Sequence, residues 1–138
     1  DVDYQGNLYY TQAGDYFPIH MIYPNLSGDF AIYTSGFQPE ADEVMDPAWF
    51  INALDIALDE DKNMYVVDNV NSDVTVFDSK GDYFKKAGYG QDSLKLMIEP
   101  CAVAVDQRGV LYVCDRANGS IYRYQLSNSL DEDITPED

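Results

Sequence analysis

The stretch Pro100-Cys101-Ala102-Val103-Ala104-Val105-Asp106-Gln107-Arg108-Gly109-Val110-Leu111-Tyr112-Val113-Cys114-Asp115 decides how the chain is read, because residues 54–78 carry much of it a second time. Shifted by 47 positions without a gap, Ala104-Val105-Asp106 falls on Ala57-Leu58-Asp59, Tyr112-Val113-Cys114-Asp115 on Tyr65-Val66-Val67-Asp68, and Asn118 on Asn71. A third, more divergent copy opens the chain, where Asp3-Tyr4-Gln5-Gly6-Asn7-Leu8-Tyr9 matches Asp106 to Tyr112. Periods of this length mark stacked or circular arrays of one supersecondary unit.

Each unit reads as a meander of short strands. In the second copy, Leu54–Asp59 and Met64–Asp68 are apolar and β-branched, with Asp59-Glu60-Asp61-Lys62-Asn63 as a polar turn between them. Val74–Phe77 gives a third strand, and Tyr83–Ala87 a fourth after the turn Ser79-Lys80-Gly81-Asp82. The third copy repeats the plan over Cys101–Asp106, Val110–Asp115 and Ser120–Leu126. In the first, only Asp1-Val2-Asp3 remains of the inner strand, followed by Leu8–Thr11, Ile19–Tyr23 and Phe30–Thr34. The inner runs Ile56-Ala57-Leu58 and Ala102–Val105 are apolar on both faces, as expected of strands sandwiched between neighbouring sheets. Glycines 6, 28, 81 and 109 fall at turns that call for positive φ. The organisation is therefore a partial first unit over 1–35, an insertion and linker over 36–53 and a second unit over 54–98. An incomplete third unit follows over 99–127, then an acidic tail over 128–138. The insertion, with Pro39, Pro47 and one helical turn expected around Ala41–Met45, reads as a surface loop.

Charge narrows the partners. The chain of 138 residues holds 25 acidic and 8 basic residues, a net −17, and without the five acids of the tail (Asp131, Glu132, Asp133, Glu137, Asp138) the balance is still 20 against 8. Phosphate backbones and anionic membrane surfaces are repelled, while cationic partners or divalent metals are favoured. An apolar fraction of 46% fits one compact domain, and no run approaches the ~20 apolar residues of a membrane span.

The pattern from Pro100 to Asp115, ending in Asn118 and Ile121, resembles an NHL repeat; the second copy is similar but has Lys62-Asn63 where that family usually places Gly-Asn. The resemblance implies an all-β fold of β-propeller blades, each a four-stranded antiparallel sheet, commonly six around a central channel. On this reading the chain spans about half a six-bladed ring, and the remaining blades come from the same or another chain. Blade faces left bare at both ends forfeit on the order of 10 kcal/mol at ~25 cal/mol per Å². The piece alone is then expected to be molten, aggregated or dimeric.

Candidate chemistry is sparse. Asp68 and Asp115 end the second strands with Asn71 and Asn118 three residues on, a pattern for turn capping, with a ligand-facing role as the alternative. The acids of Asp59-Glu60-Asp61-Lys62-Asn63 start like an EF-hand loop, but Met64 and Val70 stand where Gly and Glu are needed, so a hairpin turn is expected. For Cys101 and Cys114 two registers are open. A two-residue Gln107-Arg108 loop sets the cysteines opposite one another at disulfide distance; a type I turn with Gly109 in a bulge shifts the register by one and separates the sulfurs. His20, the single histidine, builds no catalytic triad, and Asn25-Leu26-Ser27 and Asn118-Gly119-Ser120 match the glycosylation triplet. The leading expectation is a non-catalytic binding or scaffold segment that presents loops to a protein or small-molecule partner, without a cofactor. The alternative is part of a propeller hydrolase resembling lactonases and gluconolactonases, with a divalent cation in the channel. An extracytoplasmic or secreted setting is the expectation, with nothing in the residues to fix it.

Overall fold

The computed structural model describes residues 1–12, 18–25, 28–31, 52–87 and 96–125. The expected helical turn at 41–45, residues 36–51 of the insertion and linker, and the acidic tail lie outside the described residues. Within them the protein is all-β, with no helix.

The first sheet holds β1 (Leu8–Thr11), β2 (Ile19–Ile22) and β3 (Asp29–Ala31). The second holds β4 (Ala53–Leu58), β5 (Met64–Asp68), β6 (Asp73–Phe77) and β7 (Tyr83–Ala87). The third holds β8 (Pro100–Val105), β9 (Val110–Asp115) and β10 (Ser120–Gln125). Each is an antiparallel meander in chain order. The inner strand of the first unit is reduced to a single bridge, Val2 to Leu8. β4 begins at Ala53, one residue inside the stretch read as linker.

Period-two alternation distributes each strand between two cores. In the second sheet Ile56, Leu58, Met64, Val66 and Phe77 face one way and pack with Tyr9, Ile19 and Met21 of the first sheet. Their neighbours Ala57, Tyr65, Val67, Val74 and Val76 face the other way and pack with Val103, Leu111, Val113 and Tyr124 of the third. All of β5 and β6 is buried for this reason. Neighbouring sheets meet along their first and second strands, with β8 lying against β4 and β5, and β1 against β4. Side chains bridge the gaps: Asp1 Oδ2 accepts the Leu58 N–H at 2.9 Å, and Asp55 Oδ2 accepts the Val103 N–H at 3.0 Å.

The inner strand of the third sheet is not sandwiched: Val103 is buried but Ala104 is exposed, because no further sheet covers that side among the described residues. Cys101 and Cys114 are free thiols. The Asp106–Val110 turn takes the bulged form, with Gly109 at φ 76° and its N–H donating to the Asp106 carbonyl. Partners become Val105 with Leu111 and Ala102 with Cys114; Cys101 falls at an irregularity before Pro100 pairs with Asp115. Its thiol points at the Cys114 carbonyl oxygen, 3.6 Å away.

Tyr124 carries the one fully buried hydroxyl of the third-sheet core, without a partner among the described residues. Burial, aided by the nearby Tyr122 and Asp115, pushes it up to about 12. Since an unmade buried hydrogen bond costs free energy, Tyr124→Phe is expected to leave stability unchanged or raise it by about 1 kcal/mol in urea unfolding. A loss of similar size would show that the hydroxyl has a partner.

Candidate functional site

The first-to-second-strand turns of the three units share one construction. In each, an aspartate closes its own loop by accepting backbone N–H groups two and four residues on. Asp3 Oδ1 accepts from Gln5 and Asn7, both at 2.9 Å. Asp59 Oδ1 accepts from Asp61 at 3.0 Å and Asn63 at 2.9 Å, and Asp106 Oδ1 from Arg108 at 2.9 Å and Val110 at 3.0 Å. The second oxygen takes a side-chain amide, Asn7 Nδ2 at 2.9 Å or Asn63 Nδ2 at 2.8 Å, and a tyrosine hydroxyl from the following strand. Where Val110 replaces the asparagine, the Arg108 guanidinium supplies the missing donors, Nε at 3.0 Å and Nη2 at 2.7 Å from Asp106 Oδ2. The Val110 N–H and Arg108 together hold the Asp106 carboxyl down at about 2. Burial raises the Asp3 carboxyl, but donation from Asn7, Lys62 and Gln5 outweighs it and leaves it below the usual range. Beneath the second loop, burial and the Asp59 charge push the Tyr65 hydroxyl far up, so it remains a donor.

These three loops meet. Val2-Asp3-Tyr4, Leu58-Asp59-Glu60 and Val105-Asp106-Gln107, the same three positions of each repeat, line a cavity of about 410 Å³. The first position gives an apolar wall and the second the loop-closing carboxylate. The third differs in every copy: Tyr4, Glu60 and Gln107.

Lys62 ties two of the loops together. It takes φ 63° where the other loops of this form have Gly6, Gly81 and Gly109. Its ammonium reaches Gln5 Oε1 at 2.6 Å and Asp3 Oδ2 at 3.3 Å and lies 4.9 Å from the centre of the Tyr4 ring. A side chain in the left-handed region costs about 1 kcal/mol, and a partly exposed ion pair returns a similar amount. Lys62→Gly is therefore expected to change stability by less than about 1 kcal/mol, whereas Lys62→Ala, which keeps the strain and loses the pair, should lose about 1 kcal/mol. Comparing the two urea midpoints checks this; an alanine variant as stable as the glycine variant would contradict it.

The residues singled out from the sequence sit elsewhere. Asp68 and Asp115 end β5 and β9, at the opposite end of their sheets from the loop cavity, and neither they nor Asn71 and Asn118 line it. They cap turns. Asp68 Oδ1 accepts the Val70 and Asn71 N–H groups at 3.0 Å and Oδ2 the Asn71 amide at 3.1 Å. Asp115 does the same with Ala117 and Asn118, and in addition accepts the Ile98 N–H at 2.7 Å and the Glu99 N–H at 3.2 Å. Asn118 is also bonded to the Tyr122 hydroxyl at 2.9 Å. The loop aspartates were visible in the repeat alignment, but strand patterns alone do not say which ends of three sheets converge. Among the described residues no three His, Cys, Asp or Glu side chains come together in a metal-holding group. Neither models of known protein families nor curated proteins give a match to this chain.

Proposed function

We propose that this chain is a non-catalytic binding or scaffold segment of an NHL-type β-propeller that presents its loop mouth to a protein or small-molecule partner. The observation that carries the reading is the division of labour within the three loops. Each aspartate is consumed in closing its own turn, while Tyr4, Glu60 and Gln107 vary at the rim of a cavity whose about 410 Å³ falls within the usual range for ligand sites. A constant framework with variable tips suits recognition rather than bond making. The net charge of −17 and Glu60 at the rim favour a partner with cationic groups. Sheets stacked face to face and meeting along their first and second strands support the propeller reading.

A peptide and glycan array probed with the whole chain tests it. Binding that falls at least about tenfold in a Tyr4→Ala/Glu60→Ala variant of unchanged stability is the expected result. Metal-dependent turnover of a lactone panel, with array binding indifferent to these residues, would replace this reading with a hydrolase.

A further inference from the structure

The two interfaces between sheets stack in one register. Counted from the loop aspartates, Asp1 lies two positions before Asp3 and accepts the N–H of Leu58, one position before Asp59. Asp55 lies four positions before Asp59 and accepts the N–H of Val103, three before Asp106. In both contacts the donor stands one position further along its unit than the acceptor. Lys62, three positions after Asp59, keeps this stagger and meets Gln5, two positions after Asp3, at 2.6 Å. The first loop is thus a seat for an ammonium, built from the Asp3 carboxylate, the Tyr4 ring and the Gln5 amide oxygen, and the next unit supplies the cation.

One interface further on, the same stagger sets Gly109 against Asp59, Glu60 and Asp61. Here no cation arrives from the chain. Gly109 has no side chain, a Cβ built on it would meet nothing within 4 Å, and the neighbouring Arg108 is turned to Asp106 and Tyr112 of its own unit. Asp59 Oδ2 accepts the same amide and tyrosine donors as Asp3 Oδ2, but among the described residues no lysine joins them. Glu60 and Asp61 are exposed, and among the described residues their carboxylates have neither an ion pair nor a hydrogen bond. The ring and amide of the first seat have become two carboxylates.

We infer that the second loop and Gly109 form a seat for an alkylammonium group brought by a partner, as a lysine side chain or a free amine. This rests on reading the mouth as a recognition surface and supplies the chemistry recognised there. The observation that points to the ligand is the Lys62 ammonium, held at the same place of the repeat one interface earlier. A compact point cation suits the seat, because both oxygens of Asp59 already accept protein hydrogens. A divalent metal does not suit it, since it takes six or more oxygen ligands and among the described residues no three acidic side chains gather in a metal-holding group.

Gly109→Lys gives the seat a cation from the chain itself and is the test, read against Gly109→Ala, which takes the same positive φ without the ammonium. Gly109→Lys should unfold at the higher urea concentration, and the difference should vanish when Glu60→Gln and Asp61→Asn are present in both proteins. In amide NMR titrations of the whole chain, N-acetyl-lysine methylamide and butylamine should both shift Glu60, Asp61 and Gly109, and the Nε-acetylated lysine derivative should shift none of them. Binding should weaken about tenfold in Gly109→Lys, where the tethered ammonium competes, and persist in Gly109→Ala. Tighter binding of the lysine derivative marks a protein partner; equal or tighter binding of butylamine marks a small amine. Equal urea midpoints for the two Gly109 variants, a difference that survives the loss of both acids, or shifts indifferent to Gly109→Lys overturns the inference. The urea comparison reads the seat without any partner, so its failure is distinct from array binding that ignores Tyr4 and Glu60, which counts against the mouth as a whole.

Discussion

Phe77→Ala is expected to cost about 3–5 kcal/mol, the range for emptying a large buried aromatic site, and so to consume much of the 5–15 kcal/mol that holds a typical domain. Phe77 is fully buried at the end of β6, in the core shared by the first and second sheets with Tyr9, Ile19, Met64 and Val66. Its strand is enclosed on both faces, so the surroundings have little freedom to collapse into the void. Ile121→Ala provides the internal contrast. At 69% exposure its loss should stay within about 0.5 kcal/mol. Urea midpoints that shift equally for the two variants would show that the second sheet is not the enclosed one.

Asp115→Ala should cost about 3–4 kcal/mol. The carboxylate is 2% exposed and gathers the N–H groups of Ile98, Glu99, Ala117 and Asn118, which lose their acceptor at once, together with the Asn118 amide, which keeps the Tyr122 hydroxyl. The effect reaches across the sheet, since Ile98 and Glu99 lead into β8 while Ala117 and Asn118 lead into β10. The same carboxylate makes stability depend on acid. Burial raises it, but the Ile98, Asn118, Glu99 and Ala117 donors prevail and hold it below its ordinary value. The folded form therefore binds this proton more weakly than the unfolded chain, whose carboxyls titrate near 3.9. Its stabilisation is complete above that pH and is lost as pH falls through the lower folded value. Asp106, held at about 2, acts in the same direction. Wild type should thus lose stability below about pH 4 more steeply than Asp115→Asn, and the relief of acidic repulsion, nearly common to both proteins, cancels in the comparison. Parallel acid-unfolding curves would remove the buried carboxylate from the account.

The strands were legible because the repeat supplies the same pattern more than once. Met64–Asp68 and Val110–Asp115 fall where the alignment put them, and β8 starts only one residue early, at Pro100. What alternation could not reveal was which apolar faces meet. Ala102–Val105 has the composition of a strand covered on both sides, yet Ala104 is exposed, since covering depends on a neighbouring sheet and not on the strand itself. The cysteine register turned on whether Gly109 adopts positive φ within a two-residue or a bulged turn, a choice of backbone geometry that either residue pattern permits. At the loops, the departure from glycine at Lys62 was plain in the sequence. Its reach over the first loop was not, because a contact between residues 57 positions apart depends on how two sheets stack. Asp68 and Asp115 stand out in the sequence as strand-end acids with an asparagine three residues on, whereas Asp59 reads only as part of a hairpin turn and Asp3 and Asp106 only as matched positions of the repeat; only the stacking brings the latter three to one cavity.

The central claim is that alternate side chains of the middle sheet serve two different neighbours. Methyl and aromatic proton proximities by NMR on the protein test it most directly. The account predicts that the Phe77 ring and the Val66 methyls lie near Tyr9 and Ile19, and that the Val67 and Val76 methyls lie near Val103, Val113 and Tyr124. Proximities that link Phe77 and Val76 to the same neighbouring sheet would contradict it.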